Sequence, residues 1–302
     1  MTVIPPRIAR GQTLGICAPA GPANPARLAK GLAILGDAFA LRLTDSVTAP
    51  RAPDVPPYLA ASDDVRAAEL SSLLADPDVR AIVLARGGYG LARILARLDP
   101  GLIARDPKPI VAFSDGTALL AWAYAAGVRG IHGPMVGQLG ELAPAEAAAL
   151  VTMLTEARAP GERPWPLVAH GAGLVRGHLV PANLTLASML VGTPWPLPLA
   201  GAIALFEDTG EVPYKLDRYL TQLAQTGALG GVRALIAGDF IDCKDDALAL
   251  ATVVERAHAA GVPAASGAPI GHGNRNEPVP FGATCEIDLA FPRFTILDAA
   301  VA

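Results

Sequence analysis

The first half of the chain alternates short apolar runs with segments of helical period. Val79–Ala85 is an apolar run bounded by turn signals, which is typical of a buried strand. The segment before it, Ser62–Leu74, has helical spacing, and its apolar stripe consists of Val65, Leu70, Leu73 and Leu74. Repeated strand–helix alternation predicts a parallel sheet covered by helices.

Further elements of this half follow the same pattern. The predicted strands are 13–18, 79–85, 109–113 and 127–132, and the predicted helices are 27–39, 62–74, 91–98, 117–120 and 144–157. We therefore expect an α/β fold whose N-terminal domain, residues 1–157, is a flavodoxin-like parallel-sheet domain that carries the candidate nucleophile described below.

The second half is less regular. Three prolines, a glycine and two arginines in 157–167 are typical of an inter-domain linker, which we place at 158–170. The predicted helices beyond it are 183–191, 214–225 and 245–260, and the predicted strands are 202–206, 232–238, 283–289 and 294–297. Residues 171–302 are expected to form a smaller mixed α/β domain.

Composition excludes several classes of function. Of 302 residues, 52% are hydrophobic and 17% are charged, so a large core is expected and disorder is not. The net charge is −4, without a basic cluster that would bind nucleic acid or an anionic membrane. The N-terminal sequence has no apolar signal-peptide core, and the uncharged stretch Gly177–Phe206 is rich in proline. We expect a cytoplasmic protein without a membrane span.

One serine lies where an apolar strand runs into a helix, in Ala112-Phe113-Ser114-Asp115-Gly116. A corner of this kind exposes the nucleophile of many α/β hydrolases, and the N–H of the next residue can face an oxyanion. The alternative interpretation, that Ser114 only caps the following helix, describes a commoner situation.

A nucleophilic serine needs a base, and the base needs an orienting acid. His272, in a glycine-flanked loop, is the best placed of five histidines, although His132 also follows a strand. Glu207 and Asp208 end a buried apolar run, where a carboxylate is costly without a partner. The alternative is that one of these two carboxylates caps a turn. Ser114, Glu207 and His272 are thus a candidate trio.

The run Arg86-Gly87-Gly88-Tyr89-Gly90 follows a predicted strand and opens a helix. Its spacing fits neither phosphate-binding glycine motif, so an alternative role for its N–H groups is half of an oxyanion hole. The three cysteines are far apart and odd in number, and no spacing in the sequence suggests a metal site. No cofactor is expected.

Taken together, the motifs resemble those of the LD-carboxypeptidases, serine peptidases of muropeptide recycling that include the microcin-C immunity peptidases. The motifs that carry the resemblance are Ala18–Pro22, Arg86–Gly90, Phe113–Leu119, His132–Pro134, Glu207–Asp208, Pro213–Arg218 and Gly271–Asn276 with Pro280 and Gly282. They span nearly the whole chain and occur in the family's order.

The resemblance implies a Ser–His–Glu triad at Ser114, His272 and Glu207, with an oxyanion hole formed by the N–H groups of Gly88 and Asp115. It also implies removal of a terminal D-alanine from a muropeptide tetrapeptide, and relatives that are often homodimers. Candidates for contacting the substrate, including its carboxylate, are Tyr89, Arg86, Arg218 and Arg275.

Two other functions stay open at this point. One is an immunity-type peptidase that cleaves peptidyl or aminoacyl nucleotides, although the region 157–170 is short for such a relative. The other is a small-ligand binding protein without chemistry, because a two-domain α/β fold does not fix function.

Overall fold

The computed structural model describes residues 2–302, which fold into two compact units. The first unit comprises the residues up to Arg158, joined by two short returns of the chain, 277–280 and 300–302. The second comprises 159–276 and 281–299. The fold is α/β, with a parallel sheet first and a mixed sheet second, and the predicted fold class is confirmed.

The first unit is built around a six-stranded sheet. Its strands are β1 (Thr13–Cys17), β2 (Ala40–Leu43), β3 (Val79–Leu84), β4 (Ile110–Ala112), β5 (Ile131–His132) and β12 (Val279–Pro280), in the order β12-β5-β4-β3-β1-β2. All neighbouring pairs are parallel except β12, which runs antiparallel to β5. The central strands β1, β3 and β4 are buried except at Thr13 and Arg80, so their sequences are mainly apolar runs.

Helices connect these strands. They are α1 (Pro25–Gly36), α2 (Asp45–Thr48), α3 (Asp63–Ala75), α4 (Leu91–Ile94), α5 (Pro100–Arg105), α6 (Thr117–Ala125), α7 (Val136–Leu139) and α8 (Pro144–Thr155). Their ends follow ordinary capping rules: the side chain of Asn24 caps α1, that of Ser62 caps α3, and α1, α5 and α8 each begin with proline.

The second unit contains an eight-stranded mixed sheet. Its strands are β6 (Gly161–Arg163), β7 (Val168–His170), β8 (Leu174–Asn183), β9 (Ala202–Thr209), β10 (Ala234–Ile241), β11 (Ala264–Ser266), β13 (Thr284–Asp288) and β14 (Arg293–Ile296), in the order β6-β14-β13-β8-β9-β10-β11-β7. The central strands β8 to β11 are parallel, and the outer pairs are antiparallel. The helices are α9 (Leu184–Met189), α10 (Pro213–Gln225) and α11 (Asp246–Ala259).

The segment predicted as a linker is not free of structure. Gly161–Arg163 and Val168–His170 are β6 and β7, the two edge strands of the second sheet. The three prolines, Pro160, Pro164 and Pro166, flank these strands and do not lie in them, so the composition that resembles a linker is also compatible with two short edge strands. The returns at 277–280 and 300–302 pair with segments that lie far away in sequence.

The apolar stripe of α3 differs from the prediction at one position. Val65 is 43% exposed, whereas the neighbouring Arg66 is completely buried in register with Leu70 and Leu73. The reason is that carbonyl groups and a carboxylate surround the Arg66 guanidinium, which offsets the cost of burying its charge. No helix within residues 2–302 has the length and apolar character needed to cross a membrane.

Candidate active site

Ser114 lies at a sharp corner between β4 and α6. Phe113 is still extended, but Ser114 has φ 58° and begins a single 3₁₀ turn, Ser114–Gly116, that leads directly into α6. A side chain in this left-handed region is uncommon, since it costs energy for any residue except glycine. Such strain at a half-buried serine is a feature of functional corners and is compatible with a nucleophile.

The glycine loop between β3 and α4 packs against this serine. A Cβ atom placed on Gly87 would lie 3.1 Å from Cβ and 3.3 Å from Oγ of Ser114, and 3.2 Å from Cε of Met135. The carbonyl of Gly87 accepts the N–H of Gly21 at 3.0 Å, which ties the loop to the segment after β1. A larger residue at 87 would therefore press on the serine side chain.

The backbone N–H groups of Gly88 and Asp115 are among those near this corner that have no hydrogen-bond partner within residues 2–302. The side chain of Asp115, by contrast, is buried, and its Oδ2 accepts the N–H of Leu91 at 2.9 Å, where α4 begins. Burial raises the pKa of Asp115, and the Leu91 N–H and the Arg66 charge oppose that shift. The Asp115 side chain is thus structural, while its N–H can bind an anion.

Arg66 holds the loops around this corner together. Its guanidinium donates to the carbonyl oxygens of Pro19 and Gly90, the latter at 3.0 Å, and to that of Ala61 at 3.1 Å, and it pairs with Asp63. Two of these carbonyls belong to the loops that follow β1 and β3. One buried cation therefore fixes both loops, a role that the sequence analysis did not assign to it.

The other candidates of the first unit lie on its surface. Tyr89 is 48% exposed, and its ring meets the edge of the Tyr58 ring with centroids 5.7 Å apart. Arg86 is exposed, and its Nη1 donates to the carbonyl oxygen of Pro22 at 3.0 Å. Both residues leave the same glycine loop, so either can contact a molecule bound at the loop.

In the second unit, Glu207 and His272 form a hydrogen-bonded pair. Glu207 is the sixth residue of β9 and is completely buried, whereas His272 lies in the loop after β11 with 22% of its side chain exposed. His272 Nδ1 and Glu207 Oε2 are 2.7 Å apart. The second oxygen of Glu207, Oε1, is buried and has no hydrogen-bond partner within residues 2–302. The hydrogen-bond partner of the Glu207 carboxylate is therefore the imidazole of His272.

The charges around this pair favour the protonated imidazole. Burial by itself lowers the pKa of His272, but the charge and hydrogen bond of Glu207, together with the charges of Asp208 and Asp239, outweigh burial and raise it. An imidazole held on Nδ1 by a buried carboxylate can take and return a proton at Nε2, as a general acid–base catalyst does.

Asp208, beside Glu207, has a different role. Its carboxylate accepts hydrogen bonds from the side chain of Asn183, from the N–H and hydroxyl of Thr185, and from the N–H of Thr209, all at 2.8–2.9 Å. Burial and then the Glu207 charge raise the pKa of Asp208 to about 6. Of the two carboxylates that the sequence left as alternatives, Asp208 anchors the start of α9 and Glu207 contacts the histidine.

The remaining candidates are dispersed. Arg275 is exposed in the loop of His272, and Arg218 on α10 lies over the ring of Tyr214. His132 is buried on β5 against Phe113, and His170, His178 and His258 each contact a serine hydroxyl or a backbone carbonyl. In the part of the chain that the structure describes, no cluster of His, Cys, Asp or Glu could hold a metal ion.

Comparison with known families places both units. Residues 14–133 match the model of the LD-carboxypeptidase N-terminal domain, and residues 176–287 match that of the C-terminal domain. The chain belongs to the LD-carboxypeptidase family.

Two relatives of this LD-carboxypeptidase cover most of its length. The "Probable murein peptide carboxypeptidase" of Bacillus subtilis is 32% identical over 98% of the chain and 95% of its own length. The murein tetrapeptide carboxypeptidase of Pseudomonas aeruginosa is 35% identical over 76% of the chain and 80% of its own length.

Among solved structures, the microcin C7 self-immunity protein MccF in complex with aspartyl sulfamoyl adenosine superimposes with a TM-score of 0.88 at 23% identity. The match covers 99% of this chain and all of that one, and it establishes the fold. Membership of a carboxypeptidase family makes the protein a hydrolase.

Two residues at the site of this LD-carboxypeptidase were missed from its sequence. Arg66 interrupts an apolar helix face at the spacing of Leu70 and Leu73, which is a readable signal of a buried, partnered cation. Asp239 follows the apolar part of β10, so the argument that singled out Glu207 applies to it as well.

Proposed function

We propose that this LD-carboxypeptidase removes the terminal D-alanine of a muropeptide tetrapeptide by acyl transfer through Ser114. The observation that supports the proposal best is the 2.7 Å contact between His272 and the buried Glu207, an acid–base pair with the chemistry that a serine nucleophile requires. The substrate class follows the name of the Pseudomonas aeruginosa relative, a murein tetrapeptide carboxypeptidase.

In the proposed reaction, Ser114 Oγ attacks the carbonyl carbon of the scissile amide, and His272 Nε2 takes the hydroxyl proton. Glu207 keeps the imidazole in the required tautomer and stabilises the imidazolium. The N–H groups of Gly88 and Asp115 bind the tetrahedral oxyanion, and loss of one such donor costs about 3 kcal/mol of barrier.

The intermediate collapses as the C–N bond breaks. His272 returns its proton to the departing nitrogen, so D-alanine leaves as the free amine and the peptide stays esterified to Ser114. Water then attacks the ester, His272 takes the proton of the water, and Ser114 regains its hydroxyl hydrogen as the acid product leaves. The overall reaction consumes one water molecule and requires no cofactor.

Tyr89, Arg86 and Arg275 are proposed to contact the substrate, and a guanidinium is the natural partner for its terminal carboxylate. The expected homodimer, the cytoplasmic location and the domain boundaries of the sequence analysis stay predictions.

The test is the release of D-alanine from a tetrapeptide that ends in D-alanine, followed by mass spectrometry. A matched peptide ending in L-alanine and the analogue aspartyl sulfamoyl adenosine serve as competing substrates, and Ser114→Ala is the control variant. Cleavage of the D-alanine peptide by the wild type but not by the variant supports the proposal. Cleavage of the adenosine analogue alone would instead favour an immunity-type peptidase, and activity retained in Ser114→Ala would contradict the serine mechanism.

A further inference from the structure

A third carboxylate, that of Asp239, lies beside the Glu207–His272 pair. The register between β9 and β10 shifts by one residue between Ala237 and Phe240. This shift is a β-bulge in β10, and it lies opposite Glu207. Asp239 lies in this bulge. Bulges redirect side chains beside functional sites, and here the redirected side chain belongs to an acid outside the motifs named in the sequence analysis.

Asp239 holds the loop of His272 from both ends. Its backbone N–H donates to the carbonyl oxygen of Ile270 at 2.9 Å, and its Oδ2 accepts the N–H of Gly273 at 3.0 Å. These contacts lie two residues before and one residue after the histidine.

Gly271 makes this close approach feasible. It has φ +139°, and a Cβ atom there would lie 2.9 Å from Cβ of Asp239 and 3.0 Å from Oε2 of Glu207. The loop is thus pressed onto the ends of β9 and β10, where it leaves no room for a side chain.

We propose that Asp239 is a positioning residue for His272: it fixes the backbone of the 270–273 loop while Glu207 fixes the imidazole. This inference rests on the proposed function, because it assumes that His272 is the general base. A misplacement of about 1 Å at a catalytic group can reduce the rate on the order of 10²-fold, so the anchor has a measurable consequence.

The charge of Asp239 has a second effect, which can be measured separately from its contacts with the 270–273 loop. Glu207 and Asp208 on β9 and Asp239 on β10 act electrostatically on the imidazole, and Arg275 in the loop acts on Asp239. Burial raises the pKa of Asp239 to about 6, with a further contribution from the Glu207 charge, against the opposing effects of the Gly273 N–H, His272 and Arg275. Above that pH the ionised Asp239 supports the imidazolium, so removing its charge lowers the pKa of His272.

The experiment compares Asp239→Asn and Asp239→Ala with the wild type. Asparagine keeps an oxygen that accepts the Gly273 N–H but carries no charge, whereas alanine removes both. Glu255→Gln, on the exposed face of α11, removes one charge elsewhere in the same unit and is the matched control. The imidazole of His272 is titrated by NMR with labelled histidine and assigned by its loss in His272→Gln, and kcat/KM is measured with circular dichroism as the folding check.

We expect a lower pKa of His272 in both Asp239 variants and an unchanged one in Glu255→Gln. We also expect kcat/KM to fall on the order of 10- to 100-fold in Asp239→Ala and by a smaller factor in Asp239→Asn. Equal kcat/KM in Asp239→Ala and Glu255→Gln would overturn the proposed positioning role, and an imidazole pKa that stays at the wild-type value in the folded asparagine variant would overturn the charge effect. The NMR titration does not require turnover, so it reports the effect of Asp239 on His272 even if the wild type releases no D-alanine, which would contradict the proposed function instead.

Discussion

The Ser114 corner in the first unit of this LD-carboxypeptidase and the Glu207–His272 pair in the second depend on different kinds of interaction. Around Ser114, the features that matter are backbone ones: a left-handed corner, glycines without room for side chains, and N–H groups that have no hydrogen-bond partner within residues 2–302. Around His272, they are side-chain charges, because Glu207, Asp208 and Asp239 all favour the protonated imidazole. Substitutions around Ser114 should therefore act through the shape of the backbone and its packing. Substitutions around His272 should act through charge, so that their effect on activity depends on pH.

The largest effect in the charged region is expected for Glu207→Gln. Loss of the carboxylate removes the group that orients the imidazole, so kcat should fall on the order of 10³- to 10⁴-fold. Activity needs the neutral imidazole and is lost as pH falls through the raised pKa of His272. Because the Glu207 charge contributes to raising that pKa, the acid limb of the residual kcat/KM should move to lower pH in the variant.

The position of the acid limb is measured from the pH profile of kcat/KM. Glu286→Gln is the control, because Glu286 pairs with Arg176 on the same sheet but does not contact His272. An acid limb that keeps its position in Glu207→Gln would show that the carboxylate does not set the ionisation of the base.

Around Ser114, Arg66→Met should have the largest effect on stability. It leaves the carbonyls of Pro19, Gly90 and Ala61 without their shared donor, and we expect a loss of about 2–4 kcal/mol in the free energy of unfolding. Arg93 binds the same Asp63 but is 40% exposed, so Arg93→Met should cost less than about 1 kcal/mol. Urea denaturation of both variants makes the comparison, and equal losses would contradict the assigned role of Arg66.

A smaller effect isolates the corner itself. At φ 58° glycine is unstrained and alanine is not, so Ser114→Gly should be more stable than Ser114→Ala by about 1 kcal/mol. Both variants lack the hydroxyl, and neither changes a charge, so the difference should be the same at pH 6 and pH 9. Thermal unfolding at the two pH values tests this. A glycine variant that is no more stable than the alanine variant would show that the corner carries no backbone strain.

The same contrast explains what could be predicted from the sequence. The core strands are continuous apolar runs, and helices such as Asp63–Ala75 and Pro213–Gln225 have a readable period, so the α/β class followed from pattern alone. Residue chemistry made Ser114, Glu207 and His272 a candidate trio among open alternatives, and the resemblance to a family implied a role for each. Spacing alone could not connect Ser114 with residues about 90 and 160 positions away.

What escaped prediction depends on long-range pairing. The strand Val279–Pro280 joins the first sheet through β5, and nothing in its two residues indicates a partner almost 150 positions earlier. Asp239 escaped because a bulge, rather than strand alternation, decides where its side chain points. Arg66 escaped because its partners are backbone carbonyls, which every sequence contains.

If Ser114 and His272 act in one reaction, as we propose, the effects of removing each on activity are not additive. The decisive measurement is the residual kcat of Ser114→Ala, His272→Gln and the double variant on a tetrapeptide ending in D-alanine. Groups that act as a unit are grossly non-additive, so the double variant should retain the activity of Ser114→Ala within about threefold. In the contradicting result, the double variant is less active than Ser114→Ala by the same factor that His272→Gln alone loses relative to the wild type. The two residues would then act in separate steps, and the proposed proton relay would be wrong.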